Sequence, residues 1–267
     1  MSNKKFDVLL VGAGAMSATL GTLLRELDPD LSIGIVERLE HVASESTDGW
    51  NNAGTGHAAY CELNYTSEDE NGEIDISKAL TINSQFEISL QFWSYLVEQG
   101  KLPKPESFIN RTPHRSFVWG EKNVAFLRKR FELMSSHHLF SGMEYSENHE
   151  QIKEWMPLIM NGRNEDEPVA ATNMPRGSDV DFGSLARHMM EHLQGQENFE
   201  LLLNHNVEDL KKSSQDGWSV SVKDRDTGTE TRIRSKFVFL GAGGGALPLL
   251  QKSGIPESKG YGGFPVS

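Results

Sequence analysis

The chain has 267 residues, 37% of them hydrophobic, with 25 Gly and a single Cys. At roughly 150 residues per domain this allows one large or two modest domains with a sizeable core, and it excludes a disordered chain or a mini-protein. Lys and Arg number 26 against 38 Asp and Glu, a formal net charge of −12 that repels a phosphate backbone, so no nucleic-acid partner is expected. Cys61 has no second cysteine to pair with, which fits a reducing cytosol and rules out a Cys-rich metal site.

Lys4 and Lys5 precede an apolar run, as in a secretory signal, but Asp7 interrupts the transition and Gly12, Gly14 and Gly21 break the run. No stretch reaches the ~18 apolar residues of a membrane span, so any membrane contact is expected to be peripheral. Residues 6–11 are rich in β-formers and read as a strand. Gly12-Ala13-Gly14 then makes a tight turn, and Ala18, Leu20, Leu23, Leu24 and Leu27 give a helical pattern stopped by Asp28-Pro29. Residues 31–36 read as a second buried strand ending in Glu37-Arg38, completing one βαβ unit.

Residues 38–58 are loop-like and 67–73 form an acidic turn. Ile76, Leu80, Phe86, Leu90, Trp93 and Val97 mark a long helix ending at Gly100, with Pro103 and Pro105 in the connector. A strand is expected at 116–119 and helices at 121–136 and 148–156, the latter ended by Pro157; 161–168 is polar and exposed. A helix over 182–193 precedes strands at 199–203, 207–210, 218–222 and 237–240, with turns at Asp216-Gly217 and Thr227-Gly228 and a short helix at 246–251. There is no internal repeat or low-complexity tract.

The strongest local signal is Gly12-Ala13-Gly14-Ala15-Met16-Ser17 between a strand and a helix. The first glycine permits the turn, the second lets a pyrophosphate approach the backbone, and the small Ser17 replaces the third glycine where helix and strand pack closely. Phosphate is favoured by the unpaired N–H groups and dipole of the helix N-terminus. Glu37, at the end of the second strand, suits ribose hydroxyls and disfavours a 2′-phosphate, so NADP is not expected. Two further features favour FAD over NAD: the Gly54-Thr55-Gly56 turn, and the buried strand from Lys236 to Leu240 that returns to a second glycine turn, Gly241-Ala242-Gly243. No further strand with an acidic end follows that second turn, as a separate NAD site would need.

His188-Met189-Met190-Glu191-His192 matches a zinc-protease string, but Phe182, Leu185, Ala186, Met189 and Leu193 form the apolar arc and leave the string's polar residues on a solvated helix face; no metal is expected. For substrate chemistry the candidates are His57, the group Arg111, His114 and Arg115, and Arg176 with Asp179 and Asp181. An alcohol that gives up hydride needs a base for its hydroxyl proton, a task suited to His, and a carboxylate substrate needs Arg or Lys. Each such residue, taken singly, is more often structural than functional.

The glycine turn from Val11 to Gly21, the run Trp50-Asn51-Asn52-Ala53-Gly54-Thr55-Gly56-His57, Pro113-His114 with Ser116-Phe117-Val118-Trp119-Gly120, Gly177-Ser178-Asp179-Val180-Asp181-Phe182-Gly183, and residues 237–243 followed by Ser253-Gly254-Ile255-Pro256 together resemble the malate:quinone oxidoreductases. The resemblance runs in order along nearly the whole chain. It implies an FAD-dependent enzyme of the D-amino-acid-oxidase-like flavoprotein group that oxidises (S)-malate to oxaloacetate in the tricarboxylic acid cycle and passes electrons to membrane quinone. Such an enzyme would be cytoplasmic and peripheral on the inner face of the cell membrane; the acidic balance argues against simple electrostatic attachment to anionic lipid.

The implied fold is α/β: a Rossmann-like FAD-binding domain from residues 1–75 and 176–260, an inserted α+β substrate-side portion at 76–175, and the start of a further substrate-domain segment at 261–267. By the same resemblance Gly12, Gly14, Ala15 and Met16 lie along the FAD pyrophosphate, Glu37 and Arg38 at the adenosine end, and Gly54, Thr55 and His57 along the pyrophosphate-to-flavin stretch. Val207 would offer its backbone to adenine and Gly241, Ala242 and Gly243 would close over the cofactor. His57 and His114 are the candidates for the catalytic base. Family chains are much longer, so the chain is expected to be an N-terminal portion that binds FAD poorly and turns over no malate. A flavoenzyme acting on another 2-hydroxy acid or an amine, and a non-catalytic dinucleotide-binding fragment, remain open, as do the quinone and the oligomeric state.

Overall fold

The computed structural model describes residues 3–213 and 217–260. In chain order the first elements are β1 (Asn3–Val11), α1 (Ala15–Leu27), β2 (Ile33–Val36), β3 (Ser67–Glu68), β4 (Ile74–Asp75) and α2 (Ser77–Glu98). They are followed by β5 (Ile109–Arg111), β6 (His114–Trp119), α3 (Glu121–Ser135), β7 (Glu144–Ser146), α4 (His149–Trp155), α5 (Pro157–Met160), β8 (Val169–Met174) and β9 (Ser178–Val180). The last are α6 (Phe182–Gln194), β10 (Phe199–Leu202), β11 (His205–Lys212), β12 (Trp218–Asp224), β13 (Glu230–Leu240) and α7 (Ala246–Lys252). The chain divides into two compact units: residues up to 54, 100–108 and those from 181 onward form the first, and 55–99 with 109–180 the second.

The first unit is built on a six-stranded sheet in the order β10-β2-β1-β13-β12-β11. β1 pairs in parallel with both β2 and β13, Val11 standing opposite Val36 on one side and Leu240 on the other. β10 extends the parallel part, while β12 and β11 turn back antiparallel. A parallel strand buried on both faces reads as a continuous apolar run, and β2 is buried throughout. α1 packs on this sheet through Gly21, where an added Cβ would lie 3.1 Å from Leu193 and 3.2 Å from Leu10. Phe6, Leu9, Val11, Val207, Val220, Ile233 and Leu249 share one core. Asp7, a charged residue inside β1, is satisfied: its carboxylate takes the Ser32 N–H and hydroxyl and pairs with Lys236 at 2.7 Å.

The second unit holds the long helix α2, a three-stranded sheet in the order β6-β8-β7, and the two-stranded ribbon β5-β9. One face of the three-stranded sheet packs against α3 through Val118, Val124, Leu127 and Ala170. The other packs against α4 and α5 through Ile152, Met160, Val169 and Ala171.

The expected domain boundaries at 75/76 and 175/176 differ from this division. Ala58, Ala59 and Tyr60 are buried with Ala79, Met134 and Phe140 in one core, which draws 55–75 into the second unit. Within the expected elements, β13 is longer than foreseen, because Arg232, Arg234 and Lys236 interrupt the apolar pattern while Ile233 and Ser235 stay buried. β8 was not foreseen: its small and polar residues give no β-like pattern, although all six are buried. Pro157, expected to end the preceding helix, also starts the short α5. The acidic turn is a small hairpin closed by Asp69, which accepts the Asn71 and Glu73 N–H groups. Asp216 of the expected Asp216-Gly217 turn and the segment 261–267 lie outside the described residues.

Candidate cofactor cleft and candidate active-site residues

The carboxyl ends of β1, β2 and β13 open onto one cleft of about 510 Å³, the position at which parallel sheets of this kind bind ligands. Gly12, Gly14, Glu37, Arg38, Val207, Gly241, Ala242 and Gly243 all line it. The two glycine turns touch: Gly12 has φ +93°, and a Cβ there would lie 2.4 Å from the Gly241 carbonyl oxygen. A side chain at Gly241 would in turn lie 2.5 Å from the Ser17 hydroxyl, which is buried and has no hydrogen-bond partner among the described residues. Ser17 therefore serves the close packing expected of the third motif position.

Glu37 braces the first turn. One carboxylate oxygen accepts the Ala13 N–H at 2.7 Å and the other the Leu39 N–H at 2.8 Å, and each oxygen retains a lone pair for a further donor. Ala15 and Met16 open α1 directly after Gly14 but do not line the cleft, and Met16 is 67% exposed. Val207 stands beside an irregularity in the β11-β12 pairing, between Val207 and Asp209. Arg38 pairs with Glu45 at 3.2 Å, both side chains exposed.

Sequence reasoning missed the loop from Ala43 to Thr47, which lines the same cleft. Thr47 caps the start of α1: its hydroxyl accepts the Ala15 N–H at 3.1 Å and would lie 2.9 Å from a Cβ on Gly14. The hydroxyl run Ser44-Glu45-Ser46-Thr47, close after a strand end, was the available signal.

Gly54 takes a left-handed conformation, φ +61°, and its N–H is held by the Asn52 side chain at 2.9 Å. In the second unit Thr55 bridges to Asp179, and Gly56 donates its N–H to the Ser178 carbonyl at 3.0 Å. The same carbonyl meets His114 Nε2 at 2.9 Å. A carbonyl can only accept, so His114 carries its proton on Nε2, while its Nδ1 is buried without a partner among the described residues. The ring is 7% exposed and lies edge-on to Tyr60, centroids 6.0 Å apart. His57 differs: its side chain is 55% exposed, with Nδ1 3.0 Å from Glu62 Oε1.

The candidate arginines separate in the same way. Arg115 is used internally, by Asn173 Oδ1 and the Trp155 carbonyl, and Arg176 donates to the Leu139 carbonyl at 2.6 Å. Arg111 stands exposed on β5, opposite Ser178. Asp181 caps α6 by accepting the Ser184 N–H at 2.8 Å, and these hydrogen bonds help to hold its carboxyl below the usual range against the opposing effect of burial. His188 lies 3.4 Å from Glu191, one turn on along α6. Burial pushes the Cys61 thiol up to about 12, with Glu62 adding to the effect; such a thiol is inert at neutral pH.

The family model of malate:quinone oxidoreductase matches residues 4–267. The chain is 63% identical over 267 residues to a probable malate:quinone oxidoreductase of Hahella chejuensis, covering all of this chain and 54% of that protein. It is 56% identical over 266 residues to probable malate:quinone oxidoreductase 1 of Pseudomonas aeruginosa, covering 99% of this chain and 51% of that protein. It thus spans about half the length of these relatives. Among solved structures, glycine oxidase from Geobacillus kaustophilus superposes with TM-score 0.66 at 16% identity, covering 94% of this chain and 58% of that one. The L-alpha-glycerophosphate oxidase of Mycoplasma pneumoniae, solved with FAD bound, gives TM-score 0.61 at 14% identity, covering 88% and 53%. These likenesses show a fold shared with that glycine oxidase and that L-alpha-glycerophosphate oxidase. With its family model matched from the start of β1 onward, the chain belongs to the malate:quinone oxidoreductase family.

Proposed function

We propose that the chain serves FAD-dependent oxidation of (S)-malate to oxaloacetate, with the electrons passed on to quinone at the inner face of the cell membrane. The observation that carries this reading is the meeting of two glycine turns, Gly12 against Gly241, at the ends of adjacent parallel strands with the Glu37 carboxylate at the next strand end. The donor set fits a dinucleotide. First-turn N–H groups of α1 lack intrahelical acceptors and suit a pyrophosphate, with Thr47 sharing that role at Ala15. Glu37 and Arg38 suit an adenosine ribose, Val207 would offer its backbone to adenine, and Gly241, Ala242 and Gly243 leave room for close approach. No helix among the described residues is long and apolar enough to cross a membrane, and we assign the membrane contact as peripheral.

When bound, FAD supplies the two-electron acceptor for the hydride leaving C2 of malate. The residues of the chain handle the proton. We assign the hydroxyl proton to His57 Nε2, because His114 has its Nε2 committed to a buried carbonyl and its ring enclosed, whereas the His57 ring is half-exposed. Arg111 is the exposed guanidinium available to a substrate carboxylate. The test is the absorption spectrum of the purified protein before and after malate: flavin bands that bleach without NAD support the reading. Bleaching by another 2-hydroxy acid or an amine but not by malate overturns the substrate, and a protein that binds FAD with no substrate-dependent change is a binding module only.

A further inference from the structure

The segment that carries His57 is held with unusual thoroughness for a loop. Four successive carbonyls are each gripped by a side chain: Ala58 by Asn83 Nδ2 at 2.7 Å, Ala59 and Tyr60 by Arg130 Nη2 at 3.3 Å each, and Cys61 by the Ser116 hydroxyl at 2.9 Å. Ala59 is kept at φ +56°, a conformation that a residue with a Cβ adopts only when its surroundings impose it. Arg130 is fully buried and also donates from Nε to the Thr66 hydroxyl at 3.0 Å. It has no carboxylate within ion-pair distance among the described residues. So much anchoring of an irregular stretch calls for something that must be kept in place.

Glu62 is what the platform presents. Its side chain is 16% exposed, and Oε2 accepts the Cys61 N–H at 3.3 Å. Oε1 is shielded from solvent and has no hydrogen bond among the described residues. Buried acceptors in native proteins are almost always met by a donor. The group at hand is His57 Nδ1, 3.0 Å away but not lined up as a hydrogen bond. The ring torsion of His is soft, and catalytic hydrogen bonds are often poorly aligned before ligand binds. Of the other neighbours, Arg130 spends Nη2 on the carbonyls and Nε on Thr66, its Nη1 having no hydrogen bond among the described residues, and the Cys61 thiol, which also interacts with Glu62, stays neutral.

We propose that Glu62 is the positioning residue for His57: its carboxylate takes the Nδ1–H and thereby leaves Nε2 as the unprotonated nitrogen of a half-exposed ring. This deepens the role given to His57 above and rests on that reading for its place in the reaction. Malate oxidation releases a hydride, carrying both electrons, and a hydroxyl proton; the proton goes to Nε2, and the imidazolium so formed stands against the Glu62 carboxylate. A histidine's tautomer is set by the hydrogen bond of its other nitrogen, so the pair makes His57 the opposite tautomer to His114.

The test is ¹⁵N NMR of the histidine rings in the 267-residue chain, at a pH where they are neutral, for the wild type and Glu62→Leu. His114, fixed as Nε2–H by the Ser178 carbonyl, is the internal reference for an intact unit. The wild type should show His57 as Nδ1–H, and Glu62→Leu, which offers no acceptor, should lose that signature while His114 is unchanged. A His57 that is Nε2–H in the wild type, or that stays Nδ1–H in the variant, overturns the assignment. In the flavin-loaded full-length enzyme, Glu62→Leu should lower kcat about 10-fold or more with KM within about twofold; equal kcat overturns it too. Malate bleaching is read separately: its absence beside the expected tautomer sinks the reaction and leaves the pair standing.

Discussion

The cleft of the first unit and the His57–Glu62 platform of the second are built on opposite principles. In the cleft the proposed recognition surface is main chain: Gly12 and Gly241 leave no room for a side chain where the two turns meet, and the side chains beside them, Glu37 and Thr47, bond to backbone N–H groups. On the platform the order is inverted, with buried side chains of Asn83, Arg130 and Ser116 gripping carbonyls so that a pair of titratable groups is displayed. A backbone site tolerates no added atoms but needs few particular residues. A side-chain site tolerates small shape changes and fails when a gripping group is lost.

The contrast can be broken most forcefully at Gly12. Gly12→Val puts a Cβ where the Gly241 carbonyl sits, at a positive φ, and neither neighbour is a side chain that can step aside. We expect loss of FAD retention and destabilisation of more than about 3 kcal/mol, checked by flavin content after gel filtration and by thermal melting. If the variant kept both, the close meeting of the two turns would have no role.

Next is Arg130→Met, close in length but unable to donate. Burial already pulls the guanidinium down to about 10, yet its removal strands the Ala59 and Tyr60 carbonyls and the Thr66 hydroxyl. A cost of about 3–5 kcal/mol is expected by urea unfolding. A loss confined to the second unit, with FAD affinity retained, would sharpen the comparison.

The smallest effect is at Asp7, where the Lys236 ammonium, and then the Ser32 hydroxyl and N–H, hold the carboxyl far below the usual carboxylate range. A depressed native value stabilises the fold above the unfolded value near 3.9 and loses that contribution as pH falls toward the native one. Because Lys236 is well exposed, solvent screening keeps the worth of the pair small. Asp7→Asn should therefore unfold slightly earlier at pH 7, and its deficit should shrink progressively as pH falls below about 4 toward the depressed native value; a deficit independent of pH would refute the ionic account.

The difference between the two constructions also governs what could be read in advance. The strand–glycine–helix start, the acidic end of β2 and the returning β13 were legible because backbone recognition needs glycines at fixed places, and glycine spacing is local. β8 was hidden because Val169–Met174 is mostly small and polar, its burial decided by α3, α4 and α5 packing on its two faces. His57 and His114 were both visible as residue types. What separates them, a carbonyl from Ser178 in one case and the Glu62 carboxylate in the other, depends on the fold. Arg130 gave no signal: on α3 it looks like one more basic residue in Arg128-Lys129-Arg130.

The pairing of β1 with β13 also sets an order of events. Eight registered positions link the first strand to one that ends at Leu240, so Gly12 waits for Gly241 to be synthesised before its wall exists. At 5–20 residues per second on the ribosome, that wait is on the order of 10–50 s. During it the nascent β1 has β2 on one edge and nothing on the other, an aggregation-prone state. A nucleotide that needs both turns accordingly cannot be gripped until the distant strand has docked.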